Sequence, residues 1–155
     1  EKSALASSSG ILQLAANGIM VNSENAKPLS TYLLEMEQLN YDLIRELLLL
    51  IEDKAQIGAV LNAKDISAAC QTSNDNAAIL YHLKFLADAG YIDLENDMLY
   101  LISDITPAGR NYLDGIRAQT IWQQVKKDLH DKSIPMTIDA IKFIAAKFIE
   151  RMISS

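Results

Sequence analysis

The stretch from Ser73 to Ile102 leaves this chain few ways to fold. It opens on Ser73-Asn74-Asp75, three side chains able to accept from the free N–H groups at a helix start. Ile79, Leu83 and Leu86 then recur at helical spacing, and Gly90 supplies the left-handed residue on which helices commonly end. Two short alternating segments follow at once, Tyr91–Leu94 and Met98–Ile102, around the polar turn Glu95-Asn96-Asp97. Such a hairpin is too short to stand alone and must lean on helices.

The flanking segments supply those helices. Tyr41 to Lys54 reads as a helix with Ile44, Leu47, Leu48 and Ile51 on one face, and Leu43, Leu49 and Leu50 widen that face beyond one stripe. It is read as a central core helix, with a dimer seam as the alternative. After a loop around Gly58 to Asn62, Ala63 to Gln71 forms a short helix with Ile66, Ala69 and Cys70 inward. Thr72-Ser73-Asn74 is a turn of the length that links two crossing helices. Beyond the hairpin, Thr106-Pro107 restarts a helix, with a capping threonine and proline at the first helical position. It carries Tyr112, Leu113 and Ile116, and it continues or breaks near Gly115 into Thr120–His130, with Ile121, Val125 and Leu129 on one side and Trp122 adjacent. Ser133-Ile134-Pro135 ends that segment, and a last helix runs from about Thr137 to Ile153. Residues 1–39 are a less regular extension: Asn17-Gly18 is a turn signal within a hairpin or frayed helix, and Pro28 opens a helical pattern through Leu29, Leu33 and Met36.

The expected fold is therefore mainly α with a small β-hairpin. It is a winged helix-turn-helix over residues 40–116, with additional C-terminal helices over 117–155 and an N-terminal extension over 1–39.

Two blocks strengthen this reading by resemblance. Tyr81-His-Leu-Lys-Phe-Leu-Ala-Asp-Ala-Gly-Tyr-Ile92 resembles the end of the recognition helix in winged helix-turn-helix repressors of the arsenic-repressor type. Ile105-Thr-Pro-Ala-Gly-Arg-Asn-Tyr-Leu113 resembles the element after the wing. Together with Asp42-Leu-Ile-Arg-Glu-Leu-Leu-Leu-Leu-Ile-Glu52 and the run Asp114-Gly-Ile-Arg-Ala-Gln-Thr-Ile-Trp122, they resemble domain-of-unknown-function family 2513 over about residues 40–153. These are small proteins often encoded by phages and prophages. The resemblance implies a phage-type setting and a winged fold. The family name conveys no activity.

Catalysis needs a constellation, and the sequence offers none: no P-loop, no dinucleotide glycine pattern, no metal-ligand cluster, no nucleophile elbow. A non-enzymatic protein without cofactor or metal is expected. Its two histidines read as a packed or boundary residue (His82) and a helix-end residue (His130), and its single cysteine, Cys70, as a small hydrophobe rather than a nucleophile. One cysteine forms no internal disulfide, which suits a reducing, cytoplasmic setting. No apolar run is longer than Leu47 to Ile51, which is far short of the roughly 18 residues a membrane span requires, and Ile11–Ala16 lacks the basic flank of a secretory signal. Met20 is the expected natural start.

The binding reading turns on charge. The fold suggests duplex DNA, with Ser73, Asn74 and Asn76 at the helix start, Tyr81 and Lys84 further along, and Asn96 at the wing tip. Duplex affinity rests largely on cations placed against phosphates. Yet residues 40–116 carry five basic groups against twelve acidic ones, a net of −7 within a chain of net −6. The expected function is a DNA-binding transcriptional regulator of phage type. The alternative is an acidic winged-helix interaction module that binds a protein through Tyr81 and Phe85 and does not contact DNA directly. The apolar terminal helices favour a homodimer. The stripe Arg117, Lys126, Lys127 and Lys132 is either a solvated face, a dock for another copy's acidic module, or a source of phosphate contacts in a dimer.

Overall fold

The computed structural model describes residues 39–96 and 101–154. The expected N-terminal hairpin or helix, the pattern beginning at Pro28 and the tip of the wing turn lie outside these residues.

Helix α1, Tyr41–Lys54, has the bounds its periodicity predicts, and Asn40 caps it by accepting from the Leu43 N–H. Leu43, Ile44, Leu47, Leu48 and Ile51 are all at most 1% exposed. Leu49 and Leu50, expected to widen the buried face, are only half-buried. Strand β1 follows, Leu61–Asn62, then helix α2, Ala63–Ala69, and helix α3, Asn76–Asp88. Strands β2, Ile92–Asn96, and β3, Leu101–Ile105, lead into helices α4, Pro107–Ile116, α5, Gln119–Asp131, and α6, Ile138–Ser154. Residues Asn40–Ser155 form one compact unit.

The expected hairpin is part of a three-stranded antiparallel sheet of order β1-β3-β2. Residues 61–62, read as loop, pair with β3 through Leu61 opposite Ile102 and Asn62 opposite Leu101. Two residues are too few to show alternation, so only the free edge of β3 turns them into a strand. Strand β3 also runs three residues past the expected end at Ile102, because Ile105 pairs with Ile92 across β2. Ile102 and Ile105 are three residues apart, and the register shift between Asp93 and Leu94 lets both be buried.

Helix ends follow the local chemistry. Asp75, one of the three cap candidates, accepts from the Ala77 N–H. At the other end of α3, Tyr91 N–H donates to Leu86 O at 2.8 Å and Gly90 N–H to Ala87 O at 3.0 Å, with Gly90 at φ +79°. This pair of bonds is the Schellman closure, which an L side chain at Gly90 would strain. Thr106 caps α4 by accepting from Gly109 N–H, while its own hydroxyl donates to Gly90 O at 2.6 Å. The start of α4 is thereby stitched to the end of α3.

Gly109 makes that seam possible. A Cβ there would lie 2.1 Å from Tyr91 O and 2.9 Å from Ile105 Cγ1. Helices α5 and α6 then pack on each other, and the break between α4 and α5 falls at Arg117 and Ala118, just past the expected Gly115. Glycine to alanine within a helix normally stabilises by roughly 1 kcal/mol. Gly109→Ala is expected to have the opposite sign, losing about 1–3 kcal/mol to overpacking against backbone. Urea titration of the two proteins reads the sign directly.

Candidate recognition surface

Helix α3 is set into the body by one stripe and one histidine. Ile79, Leu83 and Leu86 are fully buried. His82, at 4% exposure, is the packed histidine that the sequence suggests. Its Nδ1 donates to Ala78 O at 2.7 Å, and its Nε2 accepts from Asn40 N–H at 2.9 Å. Both ring nitrogens are engaged with backbone, so the ring joins α3 to the cap of α1.

A second anchor was hidden in the sequence. Glu46, on the rim of the apolar helix α1, accepts from Gln71 N–H and Thr72 N–H, each at 2.8 Å, and from Cys70 Sγ at 3.0 Å. These three donors begin the turn between α2 and α3. Partial burial pushes the Glu46 carboxyl up, but the bonds from Thr72, Cys70 and Gln71 together outweigh it and hold it below the usual range. Cys70 is half-buried rather than fully inward. Burial and the neighbouring carboxylate push its thiol up, which makes it a poor nucleophile. An acid interrupting an otherwise leucine-rich helix is the signal that could have revealed Glu46.

The candidate contact residues fall into distinct settings. Ser73 accepts from Asp75 N–H within the turn, and Asn74 is exposed beside it. Asn76 is exposed, but its Oδ1 accepts from Ser67 Oγ on α2. This bond crosses a groove of about 410 Å³ between α2 and α3, bordered by Lys64, Ala68 and Leu80. Tyr81 is 43% exposed, its ring edge-on to His82 at 5.5 Å. Lys84 is exposed and pairs with Asp88 at 3.3 Å. Phe85 is half-buried, so the outward stripe is Ala77, Tyr81, Lys84 and Asp88, and of the two aromatics expected to face a partner only Tyr81 is exposed. Asn96 is the last residue of β2, opposite Leu101, rather than a turn residue.

The electrostatics of this surface are negative. Asp93 and Asp104 face each other directly across β2 and β3, a like-charge pairing that costs stability. Glu95 accepts from Ser103 Oγ at 2.8 Å. Each member of the basic stripe at the other end is matched by an acid of its own chain. Arg117 pairs with Glu52 and Asp114, Lys126 with Asp42, Lys127 with Asp131, and Lys132 with Asp128. Arg110 also reaches Glu52, and Arg45 donates to Ile116 O and Arg117 O at the end of α4. Among the described residues no three His, Cys, Asp or Glu side chains converge as a ligand set, and no helix is long and apolar enough to cross a membrane.

Six helices and a small three-stranded antiparallel sheet thus define a mainly helical protein among the described residues, with α3 displayed between the α2 groove and the β2–β3 edge. The chain belongs to the family described as Hypothetical protein (DUF2513), whose model matches residues 38–135. It is 32% identical over 120 residues to an uncharacterized protein of Haemophilus influenzae, an alignment covering 74% of this chain and 98% of the relative. No solved structure matches the chain.

Two expectations follow. Glu46→Ala removes three hydrogen bonds to a charged acceptor and is expected to cost about 1–3 kcal/mol. The Gln71 and Thr72 amides should then exchange faster than those of the α3 core, as hydrogen-exchange NMR would show. The second concerns acid. The carboxyls of Asp42, Glu46 and Glu52 are all held down in the folded protein. For Glu52 the main cause is the Arg117 bond; for Asp42, partial burial opposes the bonds from Lys126 and Trp122 and is outweighed. A carboxyl depressed on folding contributes stability above its unfolded value and loses it as pH falls through the folded value. Thermal stability should therefore hold from neutrality down to about pH 4 and drop below it, and Glu46→Gln should flatten part of that drop.

Proposed function

We propose that this protein is a non-enzymatic winged helix-turn-helix regulatory protein of phage type whose exposed α3 face and β2–β3 edge engage a protein partner. The frame rests on element order. A helix, a short strand, two helices across a turn and two antiparallel strands, with β1 joining β3, is the arrangement of that class.

The observation that carries the choice of partner is the state of the cations. A duplex reader needs uncommitted lysines and arginines around its recognition helix. Here Lys84 is held by Asp88, and the stripe that would supply phosphate contacts from the C-terminal helices is neutralised by Asp42, Glu52, Asp114, Asp128 and Asp131. What α3 offers instead is an exposed aromatic ring, Tyr81, on the same outward face as the Lys84–Asp88 pair. Rigid aromatics suit protein interfaces, and a partner with a basic rim around an apolar centre fits this surface.

Duplex DNA is the second reading, favoured by the frame and by the helix-start groups of Ser73, Asn74 and Asn76. Fluorescence anisotropy with a mixed-sequence duplex separates the two. At low salt, where phosphate attraction is least screened, no binding is expected. Binding that weakens steeply with salt and is lost in Lys84→Glu would overturn the protein-partner reading in favour of DNA.

A further inference from the structure

Helix α6 carries two faces. Ile141, Ile144 and Ala145 are buried against α4 and α5. Beside them runs a second line, Lys142, Ala146, Ile149 and Ile153, spaced four, three and four residues apart. This is the spacing of a coiled-coil seam. Lys142 and Ala146 are exposed, Ile149 is half-buried, and Ile153 is 79% exposed. The line borders a groove of about 320 Å³ between α4 and α6, walled by Asn111, Gly115, Lys142, Ala146 and Ile149.

We propose that this seam docks against the same seam of a second copy, with the two α6 helices antiparallel. The reason for choosing a second copy is that the line complements itself only in reverse. In the antiparallel arrangement Ala146 and Ile149 meet Ile149 and Ala146 of the other helix at the centre, where a small residue opposite a large one permits close approach. Lys142 at one end then meets Glu150 and Ile153 at the other, and the two-fold axis repeats that contact. The lysine stem covers Ile153 while its ammonium reaches the Glu150 carboxylate. Neither Lys142 nor Glu150 has an ion-pair partner among the described residues, whereas every charge of the Arg117–Lys132 stripe does. A parallel arrangement would set Lys142 against Lys142 and Glu150 against Glu150. The concave wall beside Lys142 receives the partner's Ile153. This assignment is independent of whether α3 engages protein or DNA.

The test uses the full chain in sedimentation velocity at tens of micromolar. A dimer is expected. Ala146→Glu places like charges at the centre, and Lys142→Glu turns both end contacts repulsive; each should weaken dimerisation by about tenfold or more. The exchange Lys142→Glu with Glu150→Lys restores opposite charges and should return the dimer to near its original strength. All three positions are exposed, so circular dichroism should show unchanged helix content. A monomeric wild-type chain overturns the proposal. So does a dimer indifferent to both single substitutions, or one that Lys142→Glu weakens and the exchange does not rescue.

Discussion

Everything in the folded unit is arranged around the burial of α1. Five of its aliphatic side chains are removed from solvent almost completely, each contributing about 1.5–3 kcal/mol of transfer free energy. Its polar residues then act as separate clamps. Asp42 accepts from Trp122 Nε1 at 2.7 Å and from Lys126, fixing α5. Arg45 donates to the carbonyls that end α4. Glu46 holds the α2–α3 turn, and Glu52 gathers Arg110 and Arg117. Partly exposed ion pairs contribute 0–1 kcal/mol at the median. The apolar face therefore supplies the stability, and the clamps choose which helix sits where.

That arrangement shapes what the surface can recognise. Arg117 and Lys126 fasten helices to α1, and Lys84, Lys127 and Lys132 pair along their own helices. The α3 face keeps Tyr81 and a paired lysine, and the sheet edge keeps unpaired acids. Charge is thus distributed by the needs of the fold first, and the exposed surface inherits what is left. The packing of α6 divides its side chains in the same way. One stripe is consumed by α4 and α5, and the neighbouring line is left exposed or half-buried.

The helices were legible because their signals are local. Asn40 and Thr106 cap α1 and α4, and Gly90 closes α3, through bonds that span a few residues. The apolar periods of Ile44–Ile51, Ile79–Leu86 and Ile121–Leu129 report burial directly. The outward face of α3 was legible only in outline. Its register shifted from Phe85 toward Ala77 because the boundary residues Ala78 and Phe85 are set by how deeply α3 sinks into the body.

What the sequence alone determined, then, is the set of helices, their ends and the acidic balance of the central module. Strand β1, the extension of β3 to Ile105 and the roles of Glu46 and Asp42 were decided by tertiary structure. Each depends on a partner tens of residues away, such as Leu61 on Ile102 or Asp42 on Trp122. Periodicity within one segment carries no information about which distant edge or carboxylate will meet it. The basic stripe shows the division: Arg117 and Lys126 meet Glu52 and Asp42 of α1 only in the fold, whereas Lys127 and Lys132 pair with Asp131 and Asp128 four residues away along their own helix.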